Sequence, residues 1–290
     1  MATGILRIQA FAARQSAPVE GVTVNIVGDG FTAARMTDAE GNAADVTLTA
    51  PDCALSLEED NTTRLPYAVC SLTASKAGYR TVRIQGIQVF AGQVTLAQPE
   101  MIPETEEGRD VEDPPIVIPP HPLFAGGGGS GRSPADPCAP RVLDRVIIPK
   151  NITVHLGKPA ASARNVTVSF RSYIANVASS EVYPTWPESA LRANIHCQIS
   201  LALNRIYTEW YPSRGYSFNI TNSTSYDQYY VHGRTVFDVM VRLTDDIFNT
   251  YLRKTGTVNP YYSEYCDGKS VTCPGLKQWG TVTLAKQGKT

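Results

Sequence analysis

The sequence predicts a multidomain protein: an all-β sandwich at the N-terminus and an α+β domain at the C-terminus. Residues 4 to about 102 alternate apolar and polar side chains and carry no long 3.6-residue period, the pattern of short half-buried strands. Residues 103–141 concentrate Pro, Gly and acidic residues, whereas residues 142–290 mix strand-like runs with helical stripes, as an α+β domain does. The chain has 290 residues, long for one core at roughly 150 residues per domain.

Leu6, Ile8 and Ala10 open the first domain in period two, with Arg7 and Gln9 on the opposite, solvent-facing side. Val22, Val24 and Ile26 repeat the alternation. Gly28-Asp29-Gly30 and Thr37-Asp38-Ala39-Glu40-Gly41 are turns, and Val46 and Leu48 follow. Later runs are Tyr67–Val69, Leu72–Ala74, Thr81–Ile84, Val89–Phe90 and Val94–Leu96. The opening Gly4 to Ile8, the stretch Pro18 to Val24, the Thr37–Gly41 turn and the Ala77-Gly78-Tyr79 corner together resemble the carboxypeptidase regulatory-like (transthyretin-like) domain. The resemblance covers nearly all of residues 1–102. It implies a sandwich that docks or spaces, and no carboxylate or His cluster here points to catalysis.

Ten of the twenty prolines lie between Pro99 and Pro140, with eight acidic residues against two basic ones. Pro stiffens such a stretch, and the run Gly126 to Gly129 loosens it. Residues 103–141 are therefore expected to be an exposed linker and a site for proteolysis. The Gly run has no following Lys-Ser/Thr and no flanking strand, so it is not a phosphate loop.

In the second domain, strands are expected at Val146–Ile148, Ile152–Leu156 and Val166–Phe170. Tyr173, Ile174, Val177 and Ala178 share one face of a short helix from about 171 to 179. Leu191, Ile195, Ile199, Ala202, Leu203 and Ile206 form the stripe of a long helix from about Trp186 to Trp210, and a further helix is expected from Thr235 to Arg253.

Between the first two helices, Thr185 and Glu188 have capping-box spacing, with Pro187 between them, which gives Glu188 a structural task. Glu181 has no such task. It precedes a Tyr-Pro turn beside Val182, Tyr183 and Trp186. A carboxyl beside aromatics is partly desolvated, which favours its protonated form and suits a general acid near neutral pH. The bland alternative is an exposed interhelix Glu.

Glu181, Pro184, Trp186, Pro187, Ala190, Leu191 and Ala193 reproduce Glu-x-x-Pro-x-Trp-Pro followed by Ala-Leu-x-Ala. This segment resembles the signature of the stage II sporulation protein D family, glycan-cleaving domains that act on bacterial peptidoglycan. Ile220–Gln228 resembles the family's polar loop and Tyr265-Cys-Asp-Gly268 its Gly-bearing turn, so the resemblance covers roughly residues 150 to 290. The three-part order resembles the spore cortex-lytic enzymes. Those continue into a small helical peptidoglycan-binding module, which is expected to be absent here, with the last helix cut short.

The resemblance implies lytic transglycosylase chemistry, in which Glu181 acts as acid and then base on the bond between muramic acid and glucosamine units. It implies Tyr183, Trp186, Ser223, Thr224, Tyr226, Gln228, Tyr265 and Asp267 as substrate-binding residues and no cofactor. The expected partners are peptidoglycan glycan strands and an activating protease at the linker, and the expected location is the spore cortex, the coat or the cell wall. A hydrolase would need a second carboxylate across the bond, for which Asp227 and Asp267 are the candidates. The alternative function is a non-catalytic peptidoglycan-binding or amidase-enhancing module using the same groove.

Composition agrees with a substrate bound by stacking and hydrogen bonds rather than by a cationic surface. Lys and Arg total 26 against 27 Asp and Glu, a formal net charge of -1, without the basic excess that binding to nucleic acid or anionic lipid requires. No apolar run approaches the ~20 residues of a membrane span. The opening residues lack a basic n-region, an apolar h-region and a cleavage site, which predicts no secretory signal. All three Trp and twelve of fourteen Tyr follow residue 164, where they are available to stack on sugars. Cys266 and Cys273 are expected to be a disulfide, two thiols or, with His232 and Asp267, zinc ligands. Cys53 and Cys70 make a second local pair, Cys138 falls in the linker and Cys197 in the long helix. His196 is expected in the core, and His121 and His155 belong to no constellation.

Overall fold

The computed structural model describes residues 2–13, 16–104, 113–126 and 142–290. The strands Ala2–Gln9 (β1), Phe11–Ala12 (β2), Ala17–Pro18 (β3), Thr23–Gly28 (β4), Phe31–Met36 (β5), Asn42–Ala50 (β6), Ala68–Ser75 (β7), Val82–Val89 (β8) and Val94–Ala97 (β9) come first. Ile116–Val117 (β10), the short helix Pro122–Ala125 (α1), Asn151–His155 (β11) and Asn165–Ser169 (β12) follow. The remaining elements are Phe170–Glu181 (α2), Glu188–Tyr207 (α3), Ile220–Thr221 (β13), Val236–Phe237 (β14), Asp238–Ile247 (α4), Tyr265–Cys266 (β15), Leu276–Lys277 (β16) and Gln278–Lys286 (α5). The protein is thus a mixed α/β, multi-sheet chain, and among the described residues no sheet closes into a barrel. It divides into two compact units, residues 1–120 with 232–239, and residues 121–231 with 240–290.

In the first unit one sheet has the order β14-β9-β1-β6 and the other β10-β8-β7-β4-β5. The period-two reading of β1 holds, with Leu6 and Ile8 buried and Arg7 exposed. Leu6, Ile8, Val46, Leu48 and Ala97 from the first sheet share one apolar core with Val24, Ile26, Leu72, Ile84 and Ile87 from the second. The Thr37–Gly41 turn is tied to the connection between β3 and β4: the Val22 amide donates to Thr37 Oγ1 at 2.9 Å, and that hydroxyl donates to the Val19 carbonyl at 2.7 Å. Asp38 Oδ1 accepts from the amides of Glu40 and Asn42 at 3.1 and 2.8 Å, as turn-forming Asp residues do.

Two expectations for this unit change. Thr81–Ile84 and Val89–Phe90 are not separate strands, because β8 runs through Gly86 at φ 75°, a conformation glycine tolerates. Residues 113–126 are not exposed throughout. β10 pairs in parallel with β8, the Ile118 amide donates to the Gln85 carbonyl at 2.9 Å, and Ile118, His121 and Pro122 are buried. Composition missed this because a short strand pairing and a few buried side chains dock a segment that is otherwise Pro-rich. Residues 105–112 and 127–141 of the expected linker, with the Gly run from 127 and Cys138, lie outside the described residues, while Pro103 bridges to Tyr79 and the Glu104 amide donates to the Gly78 carbonyl at 2.9 Å.

The second unit has a sheet of order β12-β11-β13 and a parallel pair β15-β16. β12 leads straight into α2, whose N-cap Ser169 accepts from the Ser172 amide at 3.1 Å. α3 begins at Glu188 with Pro187 in the cap position, two residues after the Thr185 cap that the spacing suggests. Glu188 stands at the first helical residue, not the third, and its carboxylate pairs with Arg192 and Arg242 at 2.9 and 3.1 Å. Residues 146–148 form no strand; the nearby Leu143 amide donates to the Tyr207 carbonyl at 2.9 Å. The expected helix 235–253 is shorter, since Val236–Phe237 is strand and α4 ends at Ile247.

A Cβ at residue 86 would lie 2.1 Å from the Ile118 carbonyl oxygen. Gly86→Ala is expected to release the 116–118 segment, cost about 2 kcal/mol or more and speed hydrogen exchange at the Ile118 amide. Unchanged protection there would contradict the docking.

Candidate active site

Glu181 is the last residue of α2, and the chain turns extended at Val182, whose amide still closes on the Ala178 carbonyl at 3.2 Å. This puts the Glu181 side chain inside the unit, at 0% exposure. It is neither the exposed interhelix Glu nor the partly desolvated one that the sequence suggested. Its Oε1 accepts from the Tyr229 backbone amide at 2.9 Å and its Oε2 from Gln198 Nε2 on α3 at 2.8 Å. The Tyr265 hydroxyl, from β15, is a third partner. Burial pushes the carboxyl up to about 7, and the three hydrogen bonds, which favour the charged form, pull against it. None of the groups that set its proton affinity is a cation.

A second layer fixes this first one. Gln228 is fully buried; its Oε1 accepts from the Tyr173 hydroxyl at 2.9 Å, and its Nε2 donates to the Gln198 carbonyl and the Tyr265 hydroxyl, both at 3.1 Å. Asn176, one turn before Ser180, donates to the Val231 carbonyl at 2.8 Å and accepts from the Val231 amide at 3.1 Å. That pair pins the loop carrying Tyr229 to α2.

The structure therefore joins Glu181, Gln228 and Tyr265 in one hydrogen-bonded network. The other expected substrate-binding residues lie elsewhere. Tyr183 and Trp186 are buried in an aromatic cluster with Trp279 and His121, with ring centroids 4.5 to 6.3 Å apart. Ser223, Thr224 and Tyr226 are half-buried in a turn where the Ser223 carbonyl accepts from the amides of Tyr226 and Asp227. Asp267 is buried and holds its own loop, accepting from the amides of Lys269, Ser270 and Val271 and from the Ser270 hydroxyl. Sequence reasoning missed Gln198, Tyr173 and Asn176. The signal for Gln198 was there, as a polar residue one position before Ile199 in an otherwise apolar stripe.

Asp227, the other candidate second carboxylate, is committed to a buried ion pair. Arg205 Nε donates to its Oδ1 at 2.7 Å, with the two side chains 2% and 0% exposed. Its Oδ2 accepts from the Tyr211 hydroxyl at 2.5 Å, the Thr221 hydroxyl at 2.7 Å and the Thr221 amide at 2.9 Å. Arg205 is also stacked against Trp210 and Tyr262, its guanidinium carbon 4.5 and 4.9 Å from their ring centroids.

Cys266 and Cys273 form a disulfide, which resolves the three alternatives for that pair. Cys53 and Cys70 do not pair; one thiol is exposed and the other buried. Among the described residues no group of three or more His, Cys, Asp and Glu side chains could hold a metal ion. His155 is buried and bonded to Asn165 Oδ1 and the Lys158 carbonyl at 2.7 and 3.1 Å. His196 is only half-buried, with the Thr250 hydroxyl 3.4 Å from its Nδ1. Among the described residues no helix is long and apolar enough to cross a membrane.

No protein-family model and no curated protein matches the chain. Among solved structures, the mercury-inhibited catechol 1,2-dioxygenase of Acinetobacter sp. ADP1 is similar at 14% identity over 40% of this chain and 58% of that one, with a TM-score of 0.26. The Bacillus anthracis TIE protein is 12% identical over 58% of this chain and 26% of its own, with a TM-score of 0.25. A leucine-rich repeat protein from Bacteroides thetaiotaomicron is 8% identical over 58% of this chain and 18% of its own, with a TM-score of 0.19. The chain spans 58% or less of each of these proteins, and at such TM-scores none of them informs the site.

Two outcomes follow from the two buried carboxylates. Glu181 binds its proton more tightly in the folded chain, at about 7, than at the ordinary value of 4.5. Its contribution to stability is therefore full below about pH 4.5 and lost as pH rises through 7, about 3 kcal/mol in all. Urea midpoints measured from pH 5 to 8 are expected to show this loss in the wild type and not in Glu181→Gln; parallel curves would contradict it. Asp227→Ala leaves Arg205 buried and unpaired and is expected to cost about 3–5 kcal/mol, read from the same denaturation curves; a loss below about 1 kcal/mol would contradict a closed ion pair.

Proposed function

We propose that the chain is a peptidoglycan lytic transglycosylase that cleaves glycan strands between muramic acid and glucosamine units, with Glu181 as its single acid and base. The observation that carries this reading is a buried carboxyl with no cation beside it, pushed up to about 7 by its surroundings. A structural carboxylate in such a place usually has a cationic partner, as Asp227 has. One left uncompensated and tuned near neutral pH is suited to giving and taking a proton. Support also comes from the resemblance of Glu181 to Ala193 to the stage II sporulation protein D signature.

The chemistry needs one carboxyl. Protonated Glu181 gives its hydrogen to the glycosidic oxygen as the bond to the muramyl anomeric carbon breaks. The resulting carboxylate then takes the hydrogen of the muramyl 6-hydroxyl, whose oxygen closes on that carbon as an anhydro ring. A hydrolase would need a second carboxylate across the bond. Asp227 and Asp267 are both saturated with structural hydrogen bonds, which favours the one-carboxyl route. In this reading the first unit is a transthyretin-like sandwich of the carboxypeptidase regulatory-like type. The second is a stage II sporulation protein D-like domain, and an activating protease acts within residues 103–141. The site of action is the spore cortex, the coat or the cell wall.

The complete burial of Glu181 favours a second reading, a glycan-binding or amidase-enhancing module without catalysis. Cleavage requires the Glu181 carboxyl, fully buried in this structure, to become accessible to a glycosidic oxygen. Mass spectrometry of peptidoglycan fragments after incubation with the full chain separates the two. Anhydro-muramyl ends that disappear in a folded Glu181→Gln variant are the expected result. Saturable glycan binding with no new ends would establish the second reading instead, and full activity of the variant would remove Glu181 from the chemistry.

A further inference from the structure

Two buried amides meet the Glu181 site under opposite constraints. Gln228 is fixed at both ends, its oxygen by the Tyr173 hydroxyl and its nitrogen by the Gln198 carbonyl and the Tyr265 hydroxyl. Gln198 is equally buried, yet only its Nε2 is engaged, at 2.8 Å from Glu181 Oε2. Its Oε1 is buried with no hydrogen-bond partner. An amide oxygen and an amide nitrogen are nearly equal in size, so turning this group over costs no volume and exchanges a donor for an acceptor.

The other partners of Glu181 are already engaged as donors to it. A protonated carboxyl needs an acceptor for its O–H. Oε1 faces the Tyr229 backbone amide, which only donates. The Tyr265 oxygen already takes a hydrogen from Gln228, so its own hydrogen is directed at Glu181. On Oε2 the neighbour is an amide that carries both a donor and an acceptor, and that acceptor has no other hydrogen-bond partner.

We propose that Gln198 is the positioning residue that seats the Glu181 proton on Oε2, its amide turning to accept from the protonated carboxyl and turning back to donate to the carboxylate. The consequence for catalysis rests on the transglycosylase reading. Oε2 is then the oxygen from which the acid step draws its proton and to which the base step returns one. The titratable side chains around Glu181 are Tyr265 on β15 and Tyr173 on α2, both held well above the ordinary phenol range, by burial first and then by nearby carboxylates. The Asp227 charge that acts on Tyr173 is itself paired with Arg205. Glu181 is thus the member of this group that changes charge near neutral pH.

The test uses the full chain with ¹⁵N-labelled glutamine, the Gln198 side-chain amide being assigned by its loss in Gln198→Met. The proposal expects that resonance to shift between pH 5 and 9 with one inflection near 7, to lose the inflection in Glu181→Gln, and to move well beyond any shift of the Gln228 amide. Gln198→Met is expected to move the alkaline limb of kcat, where protonated Glu181 is lost, upward in pH by about one unit, since the bond to the carboxylate is the stronger of the two it removes, with KM changed less than kcat. A Gln198 amide that stays fixed across the pH range in which the wild-type stability curve shows Glu181 titrating would overturn the proposal. The activity of Glu181→Gln bears on the transglycosylase reading alone, so the two can fail separately.

Discussion

A carboxyl sealed from solvent and met by hydrogen-bond donors instead of a cation is the constraint on which the second unit depends. Desolvating a charge is costly unless it is paired or neutralised. The chain meets the cost with groups from several elements: Glu181 ends α2, Gln198 comes from α3, Tyr265 from β15 and the Tyr229 amide from the loop after β13. Each must be in place for the carboxyl to stay inside. The buried amides and phenols behind them, Gln228 and Tyr173, read as supports for that arrangement, since an unpaired polar group would be expensive at the same depth.

The same unit solves the same problem differently at Asp227. There a guanidinium, two hydroxyls and a backbone amide fill the coordination of the carboxylate, and nothing is left over for chemistry. At Glu181 the surroundings raise the proton affinity to near neutrality while leaving the charge state open. The two buried carboxyls thus differ in what surrounds them, a cation and hydroxyls at Asp227 and neutral donors alone at Glu181. This contrast, more than the aromatic richness of the C-terminal half, separates the two candidates.

Much of the first unit was legible because its rules are local. Alternation placed Leu6, Ile8, Val24 and Ile26 inside, and the Thr37–Gly41 turn follows from Asp and Gly chemistry. What escaped was non-local. Nothing in the composition of residues 113–126 says that Ile118 fits against Gly86, and the Val146–Ile148 run has strand-forming residues but no strand. At the site, Glu181 and the Gln228 and Tyr265 positions were expected together on resemblance, and the structure brings them together. Tyr183 and Trp186 were expected on a glycan-facing wall, and they are buried against Trp279 and His121. Aromatic side chains serve packing and stacking equally well, and sequence alone does not distinguish the two.

The account stands on the proton affinity of one side chain, which the ¹³C resonance of the Glu181 carboxyl carbon reports directly. With glutamate labelled at Cδ and the signal assigned by its absence in Glu181→Gln, a pH titration of the full chain is expected to show an inflection near 7, as the buried setting requires. An inflection near the ordinary 4.5 would mean that the carboxyl is hydrated or charge-paired in solution, and it would contradict the acid–base role built on its burial.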